Sequence, residues 1–383
     1  MSEEKDIYRQ LQQRLDDLPV GFPTSNTGLE IDLLKKLFTA KEAEIATKLG
    51  FLPEPVKKIH SRVKKMGMSL NELEIMLDDM VQKGLILGGD IYKKREKGKG
   101  TLYGNALYGI GIHDFQIDKL TKEYVEIHHR YIEEALSYEL IQKGIPLQIR
   151  TIPVEKSISP EQHVGFYDDI RKLVENSSGP FAIGDCICRK SKDVLEAPCK
   201  ATNLRETCIT LEEAALNTLY LGYGRKIKKD EMLEILTKSQ NEGLILQTTN
   251  AQRPLSICAC CGDCCDFLTA LKKLPRPSEY FTSNFYSEVD QSLCEGCGTC
   301  IEKCQMGALT LVDNISHVNL NYCIGCGNCA SNCPSNAIRL VKKSKEYVPP
   351  KDYQKLYMKI LLKRKGLAGS LKVLGKLILR KPI

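Results

Sequence analysis

Cysteine is the residue type whose spacing in this chain predicts chemistry most directly. Eight of the 17 cysteines form two runs with the same spacing, C-x2-C-x2-C-x3-C. The two runs are Cys294, Cys297, Cys300, Cys304 and Cys323, Cys326, Cys329, Cys333. Thiolates that converge from one loop can hold the corners of an iron–sulfur cubane, and the glycines between them permit the backbone turns that this requires. Zinc held by four cysteines is the alternative, but its ligands usually come as two separated pairs.

The segment 290–340 resembles the two-cluster ferredoxin domain of bacteria, through both motifs and through Pro334, which follows the second motif. The resemblance implies two [4Fe–4S] clusters that carry single electrons. It also implies that the fourth cysteine of each motif crosses to the other cluster. The implied ligand sets are Cys294, Cys297, Cys300, Cys333 for one cluster and Cys323, Cys326, Cys329, Cys304 for the other. Gln305 departs from the family, in which proline usually follows the first motif.

Nine further cysteines lie upstream of the motifs, and five of these occupy the eight residues CACCGDCC (258–265). The nine are Cys186, Cys188, Cys199, Cys208, Cys258, Cys260, Cys261, Cys264 and Cys265. Adjacent cysteines rarely fit one cubane, so we expect the five to be divided among different centres, or some to serve none. We therefore expect a subset of the nine cysteines to bind one or two further iron–sulfur clusters, or a zinc ion. Disulfide exchange by a pair such as Cys261 and Cys264, or an open iron that binds substrate, is the alternative.

Charge and composition indicate where these cysteines act. The opening stretch MSEEKDIYRQLQQRLDD lacks the apolar core of a signal peptide, and no apolar run of about 18 residues indicates a membrane span. Clustered cysteines in a chain that is not exported are metal ligands or redox groups rather than disulfides. We therefore expect a cytoplasmic protein. Basic residues beside the first cysteines, Arg189 among them, would stabilise an anionic cluster or dock an acidic ferredoxin.

The elements that must position the upstream cysteines are helices and strands. We expect a long helix over 115–143, an extended IPLQIRTIPVE segment and an amphipathic helix over 160–177. The strand in GPFAIGDCIC would then deliver Cys186 and Cys188. This order of elements predicts an α/β domain around the cysteines.

Residues 29–107 predict three helices and then two strands around a Lys/Gly-rich wing, a pattern that resembles a winged helix. Capping boxes begin two of the helices, at Thr39 with Glu42 and at Ser69 with Glu72, and Gly84 would end the last one. The helix before the wing is acidic, with Glu72, Glu74, Asp78 and Asp79. Because helices that bind a DNA groove need positive charge, we expect a structural or docking role rather than DNA binding.

Positive charge collects at the carboxyl end. Residues 351–383 carry ten Lys or Arg against one Asp, so the rest of the chain is near neutral although the formal total is +7. Apolar and basic residues alternate there at helical spacing: Leu367, Leu371, Leu374, Ile378 with Lys372, Lys376, Arg380. Such a tail can lie on the anionic inner face of a membrane, dock in a partner groove or remain solvated.

We predict a multidomain α+β fold in four segments. These are a winged-helix-like helical module (1–110), a cysteine-rich α/β middle domain (111–285), a two-cluster ferredoxin domain (286–345) and a basic amphipathic tail (346–383). The order resembles multi-cluster ferredoxin-domain proteins of anaerobic microbes. That resemblance implies an electron-transfer protein or subunit, with a ferredoxin, a flavoprotein or a larger oxidoreductase as its partner. An oxidoreductase with a catalytic centre in the middle domain and an iron–sulfur redox-sensing regulator are the alternatives.

Overall fold

The computed structural model describes residues 2–89, 100–142, 144–158, 164–378 and 382. Helices and sheets combine in two compact units, Met1–Ile145 with Tyr357–Ile383 and Pro146–Leu356. Residues 111–145 therefore belong to the first unit, although the sequence pattern grouped them with the middle domain. Within the described residues, no helix is long and apolar enough to cross a membrane.

The first unit begins with helices and a small sheet. Its elements are α1 (Ser2–Asp16), α2 (Leu29–Leu37), α3 (Ala40–Ala46), β1 (Glu54–Pro55), α4 (Val56–Val63), α5 (Leu70–Gln82), β2 (Ile86–Gly89) and β3 (Leu102–Asn105). The three strands form an antiparallel sheet in the order β1-β3-β2. The predicted wing between β2 and β3 falls mostly on residues 90–99, which lie outside the described part of the chain.

Local capping signals in the sequence place the helix ends of this unit correctly. Thr39 and Ser69 each accept the backbone N–H three residues on, and Glu42 and Glu72 complete the two capping boxes. Gly84 follows α5 in the left-handed conformation, with φ of +75°. The helix starts at Ala40 and Leu70 therefore follow from short-range hydrogen bonds alone.

The long helix predicted over 115–143 is interrupted. Regular helix begins only at α6 (Lys122–Tyr131), because Thr121 accepts the Tyr124 amide and caps it. A π-helical segment (Ile132–Leu136) then joins α6 to α7 (Ser137–Leu140). A cap that the hydrophobic pattern does not reveal therefore shortens the helix from its amino end.

The amphipathic tail forms α15 (Tyr353–Ile378), which is broken at Gly366, where φ is +62°. Beyond the break, Leu367 and Leu371 are 90% and 72% exposed. Four other residues of the predicted tail pattern cannot be compared with the structure. Arg380 and the side chains of Lys372, Leu374 and Ile378 lie outside the described part of the chain.

The second unit is built on an antiparallel sheet with six strands within the described residues. Its elements up to the ferredoxin motifs are β4 (Ile149–Ile152), α8 (Ile170–Asn176), β5 (Phe181–Asp185), α9 (Ile187–Val194), β6 (Glu206–Leu211), α10 (Glu212–Leu221), β7 (Gly224–Ile227), α11 (Lys229–Asn241), β8 (Ile245–Thr249), β9 (Ser256–Cys260) and α12 (Asp266–Lys272). The strand order is β4-β8-β9-β6-β5-β7. The helix predicted over 160–177 falls partly on residues 159–163, outside the described range, and regular helix starts at Ile170.

One face of this sheet forms the core of the unit. Ile209 of β6 and Ile257 and Ala259 of β9 are buried in the same apolar cluster. Side chains alternate across a strand, so Cys258 and Cys260 point to the opposite face. The alternation of β9 thus separates its thiols from its apolar residues.

The ferredoxin motifs lie on a smaller set of elements that completes the second unit. These are β10 (Phe285–Val289), α13 (Thr299–Glu302), β11 (Leu309–Val312), β12 (Ile315–Val318), α14 (Asn328–Ser331) and β13 (Ile338–Lys342). β10 pairs with β13, and β11 with β12, both antiparallel. Gly298 and Gly327, in the left-handed conformation, start the short helices α13 and α14 inside the two cysteine motifs.

A buried polar network ties the strands β10 and β13 to the larger sheet. Arg150 of β4 forms an ion pair with Asp168, and both side chains are 1% exposed. Asn284 donates to Asp168 Oδ2 at 2.7 Å, and its Oδ1 accepts the Tyr347 amide at 2.7 Å. Charges buried this deeply are tolerated only when they are paired and hydrogen-bonded, so the network fixes how these strands meet the larger sheet.

Candidate iron–sulfur and metal centres

Four thiols of the ferredoxin motifs line one cavity, and we name them the outer quartet. Cys294, Cys297 and Cys300 come from the first motif, and Cys333 comes from the end of the second. Cys297 is exposed, and a hydrogen bond with Thr299 lowers the pKa of its thiol. This grouping of four thiols is the one that the ferredoxin resemblance implied for the first cluster.

The remaining four motif thiols, Cys304, Cys323, Cys326 and Cys329, form the inner quartet. Burial raises the pKa of Cys326 well above its ordinary value, and the charges of the other three thiols raise it further. Burial likewise raises the pKa of Cys329 to about 12. The four are therefore close enough to affect one another's ionisation, and metal binding must displace their protons.

Two buried serines support the motifs in equivalent ways. Ser287 on β10 donates its backbone N–H to Cys323 Sγ at 3.3 Å, and its hydroxyl oxygen lies 3.2 Å from Cys329 Sγ. Ser316 on β12 makes the same two contacts, at 3.3 and 3.2 Å, with the first and third cysteines of the first motif. The sequence analysis missed both serines. Their signal is a repeat, since each lies seven residues before a motif and contacts the other one.

The chemistry of both quartets fits iron–sulfur clusters. Each quartet consists of thiols alone, and backbone amides are directed at the sulfurs, as when Ala308 N–H donates to Cys304 Sγ at 3.2 Å. Among the described residues, no three of these eight thiols gather within 4.8 Å of one another. Such wide spacing suits a cluster in which each thiolate binds its own iron.

Six of the nine upstream cysteines form a continuous group, the six-thiol set. Hydrogen bonds link these thiols in the order Cys186, Cys188, Cys265, Cys260, Cys258 and Cys208. Cys208 and Cys258 are direct partners across β6 and β9. Hydrogen bonds within the set hold the pKa values of Cys258 and Cys265 well below the ordinary value and raise those of Cys188 and Cys260 well above it, so a metal that binds here must displace protons.

The other three upstream cysteines, Cys199, Cys261 and Cys264, form a tighter group, the three-thiol set. Their sulfur atoms and a carboxylate oxygen of Asp263 all lie within 4.8 Å of one another. Although burial acts to raise the pKa of Asp263, hydrogen bonds from the Lys200 amide and Cys261 lower it to about 2. Asp263 is thus an ionised group beside three thiols, and the sequence analysis did not single it out.

The segment CACCGDCC divides its adjacent cysteines between these two sets. Cys260 and Cys265 join the six-thiol set, whereas their neighbours Cys261 and Cys264 join the three-thiol set. Strand alternation turns Cys260, the last residue of β9, away from the apolar core, whereas Cys261, directly after the strand, is buried in that core. Neighbouring thiols therefore face different sets.

A buried cation, Arg189 on α9, lies beside both sets. Its side chain is fully buried, and it donates to Thr207 Oγ1 and to the Ala259 carbonyl, both at 2.6 Å. Burial acts to lower the pKa of Arg189, but the charges of Cys186 and Cys261 raise it above its ordinary value. A buried guanidinium requires nearby negative charge, and these thiolates supply it.

Gln305, the residue that departs from the ferredoxin family, connects the two cysteine-rich regions. Its side-chain oxygen accepts the Gly262 amide at 2.8 Å. Lys272 donates to the carbonyls of Gly262 and Gln305, at 3.2 and 2.9 Å. A Cβ at position 262 would overlap the Gln305 carbonyl, so only glycine fits there. The residue after Cys304 is therefore fixed to the turn CGDC (261–264).

Comparison with known families supports the assignment of the motif region. Residues 287–348 match the family model of the 4Fe-4S dicluster domain. This part of the chain is therefore an iron–sulfur domain of the ferredoxin type, and its eight motif cysteines lie within the matched residues. The nine upstream cysteines lie outside them. No curated protein matches the chain.

Replacing Ser287 or Ser316 by alanine should lower the reduction potential of one cluster and leave the other unchanged. Hydrogen bonds to the sulfurs favour the reduced, more negative state, so losing a hydroxyl donor lowers the potential. A hydrogen bond of about 1 kcal/mol corresponds to roughly 40 mV for a one-electron couple. Anaerobic redox titration monitored by EPR measures both potentials.

Ser292→Ala is the matched control, because its hydroxyl donates to Asp290 rather than to a thiol. Both potentials should stay unchanged in this variant. Equal shifts in Ser292→Ala and Ser287→Ala, or no shift in either buried-serine variant, would show that these hydroxyls do not tune the clusters.

Proposed function

We propose that the chain is an iron–sulfur electron-transfer protein, or the electron-transfer subunit of an anaerobic redox complex. The outer and inner quartets would hold one [4Fe–4S] cluster each, and the six-thiol set would hold a further iron–sulfur centre. Bound clusters of this kind supply one-electron carriers. The observation that carries the proposal is the contact of Gln305 with the CGDC turn, which joins the ferredoxin-type domain to the cysteine-rich sheet.

We assign the outer quartet to electron exchange with an external redox partner. Cys297 is exposed, and Leu311, which lines the same cavity, is 38% exposed. The neighbouring positions in the sequence add exposed apolar surface, with Leu293 at 51% and Val312 at 53%. Encounters between redox proteins bury little surface, so a small apolar patch beside an exposed ligand suits a ferredoxin or a flavoprotein.

We assign the inner quartet to electron exchange with the six-thiol set, within the second unit. Val154, just after β4, donates its N–H to the Cys326 carbonyl at 2.9 Å. Asn328, fully buried, donates to the Gly243 carbonyl before β8 at 2.7 Å. Together with Gln305, these contacts hold the inner ligand loops against the sheet, whose strands β6 and β9 carry three cysteines of the six-thiol set. These contacts would keep the inner quartet at a constant distance from the six-thiol set.

The first unit would serve as a docking module of the winged-helix type. Its order α3, β1, α4, α5, β2, β3 and its sheet order resemble that fold. On α5, Glu74 accepts the Thr101 hydroxyl and Asp78 accepts the Tyr103 hydroxyl, both at 2.7 Å. These carboxylates support β3 and make α5 unsuited to a phosphate backbone. A protein partner therefore fits this unit better than DNA.

Iron and sulfide analysis of the anaerobically purified chain, with EPR during stepwise reduction, tests the proposed function. We expect more than about eight irons per chain, since each cubane holds four, and uptake of single electrons from a low-potential ferredoxin. About eight irons would contradict a further centre at the six-thiol set. Absence of a reducible centre would contradict electron transfer altogether.

Gln305→Ala should slow electron exchange between the six-thiol set and the inner quartet several-fold. The variant removes the acceptor that holds the CGDC turn against Cys304, a hydrogen bond of about 1 kcal/mol, and leaves every thiol in place. Iron content should be unchanged. Freeze-quench EPR after mixing with reductant measures how fast reduction spreads from the ferredoxin-type domain.

Gln252→Ala provides the matched control, because Gln252 also donates a side-chain hydrogen bond within the second unit, to the Pro349 carbonyl at 2.9 Å. This variant should exchange electrons at the wild-type rate. If Gln305→Ala also exchanges electrons at the wild-type rate, electron exchange does not depend on the contact between Gln305 and the CGDC turn.

A further inference from the structure

The spacing of the three-thiol set distinguishes it from every other cysteine group in the described part of the chain. Cys199 Sγ lies 3.6 Å from Cys261 Sγ, and the ligand atoms of Cys264 and Asp263 lie within 4.8 Å of both. In a tetrahedral zinc site, Zn–S bonds of about 2.3 Å place two sulfurs roughly 3.8 Å apart. A cubane needs wider spacing, because each thiolate binds a different iron. The observed spacing matches a single ion.

We propose that Cys199, Cys261, Cys264 and Asp263 bind one zinc ion, with three thiolate ligands and one carboxylate ligand. Zinc accepts both donor types and favours four ligands. Cys261 and Cys264 have the C-x2-C spacing of half a zinc knuckle, and Cys199 reaches them from the loop between α9 and β6. The proposal is independent of electron transfer, because zinc has no redox chemistry.

The surroundings of Asp263 hold its carboxylate ready to ligate. The Lys200 amide donates to Asp263 Oδ2 at 2.7 Å, and Oδ1 lies 3.5 Å from Cys199 Sγ. Hydrogen bonds to the second atom of a ligand group are the usual means of orienting metal ligands. Three thiolates and a carboxylate leave a zinc site with net negative charge, which the buried Arg189 beside Cys261 offsets in part.

A zinc ion at this position would fix the CGDC turn from both of its ends. That turn carries the amide that contacts Gln305. It is also flanked directly by Cys260 and Cys265, which face the six-thiol set. The ion would therefore act as a structural staple between the six-thiol set and the ferredoxin-type domain.

Zinc K-edge EXAFS of the full chain, purified anaerobically from a medium that contains zinc and iron, tests this site directly. We expect about one zinc per chain, with three sulfur neighbours at about 2.3 Å and one oxygen at about 2.1 Å. The wild-type protein answers the question, so the test does not depend on how a variant folds. Absence of zinc, or zinc with four sulfur neighbours, would overturn the proposal.

Variants separate this site from the iron–sulfur centres. Cys199→Ser should lower zinc affinity at least about tenfold and keep the EPR signals of the ferredoxin-type domain. Asp263→Cys should keep the ion and change its neighbours to four sulfurs. Cys208→Ser, in the six-thiol set, is the matched control and should keep zinc. Loss of iron rather than zinc in Cys199→Ser would overturn the proposal.

The same samples distinguish this site from the proposed electron transfer. Wild-type protein that carries zinc with three sulfurs and one oxygen but no reducible cluster would contradict electron transfer and support the zinc site. Wild-type protein with reducible clusters and no zinc would contradict the zinc site alone.

Discussion

The second unit depends on one constraint: the five cysteines within the eight residues 258–265 must direct their thiols to more than one site. The period-two alternation of β9 turns Cys258 and Cys260 away from the apolar core, and Cys261, directly after the strand, is buried in that core. The turn that follows repeats the division at Cys264 and Cys265. One short segment therefore divides its thiols between the six-thiol set and the three-thiol set, and its position relates the two sets to each other.

Charge compensation follows from the same arrangement. Buried thiolates are stable only beside positive charge or hydrogen-bond donors, and Arg189 supplies the charge where the two upstream sets meet. In the ferredoxin-type domain, Ser287 and Ser316 supply donors to one motif each. The two quartets differ in exposure at one ligand position, since Cys297 of the outer quartet is exposed whereas the inner quartet has two buried and two half-buried cysteines. An external redox partner would therefore reach the outer quartet more readily than the inner one.

The features that could be predicted from the sequence are those that depend on residues close together in the chain. The ferredoxin-type domain is confirmed, and the capping boxes at Thr39 and Ser69 form as predicted, because both depend on residues a few positions apart. Helix 115–143 was predicted too long, since Thr121 caps a later start. The meeting of Cys199 with Cys261 could not be predicted, because it depends on the order of strands in the sheet, which cysteine spacing does not encode.

Anomalous diffraction at the iron and zinc absorption edges, from one crystal of the anaerobically purified chain, tests the central claim most directly. Division of the upstream thiols between two kinds of centre predicts iron at both quartets and at the six-thiol set, and zinc alone at the three-thiol set. Iron at the three-thiol set, or no metal at the six-thiol set, would contradict that division.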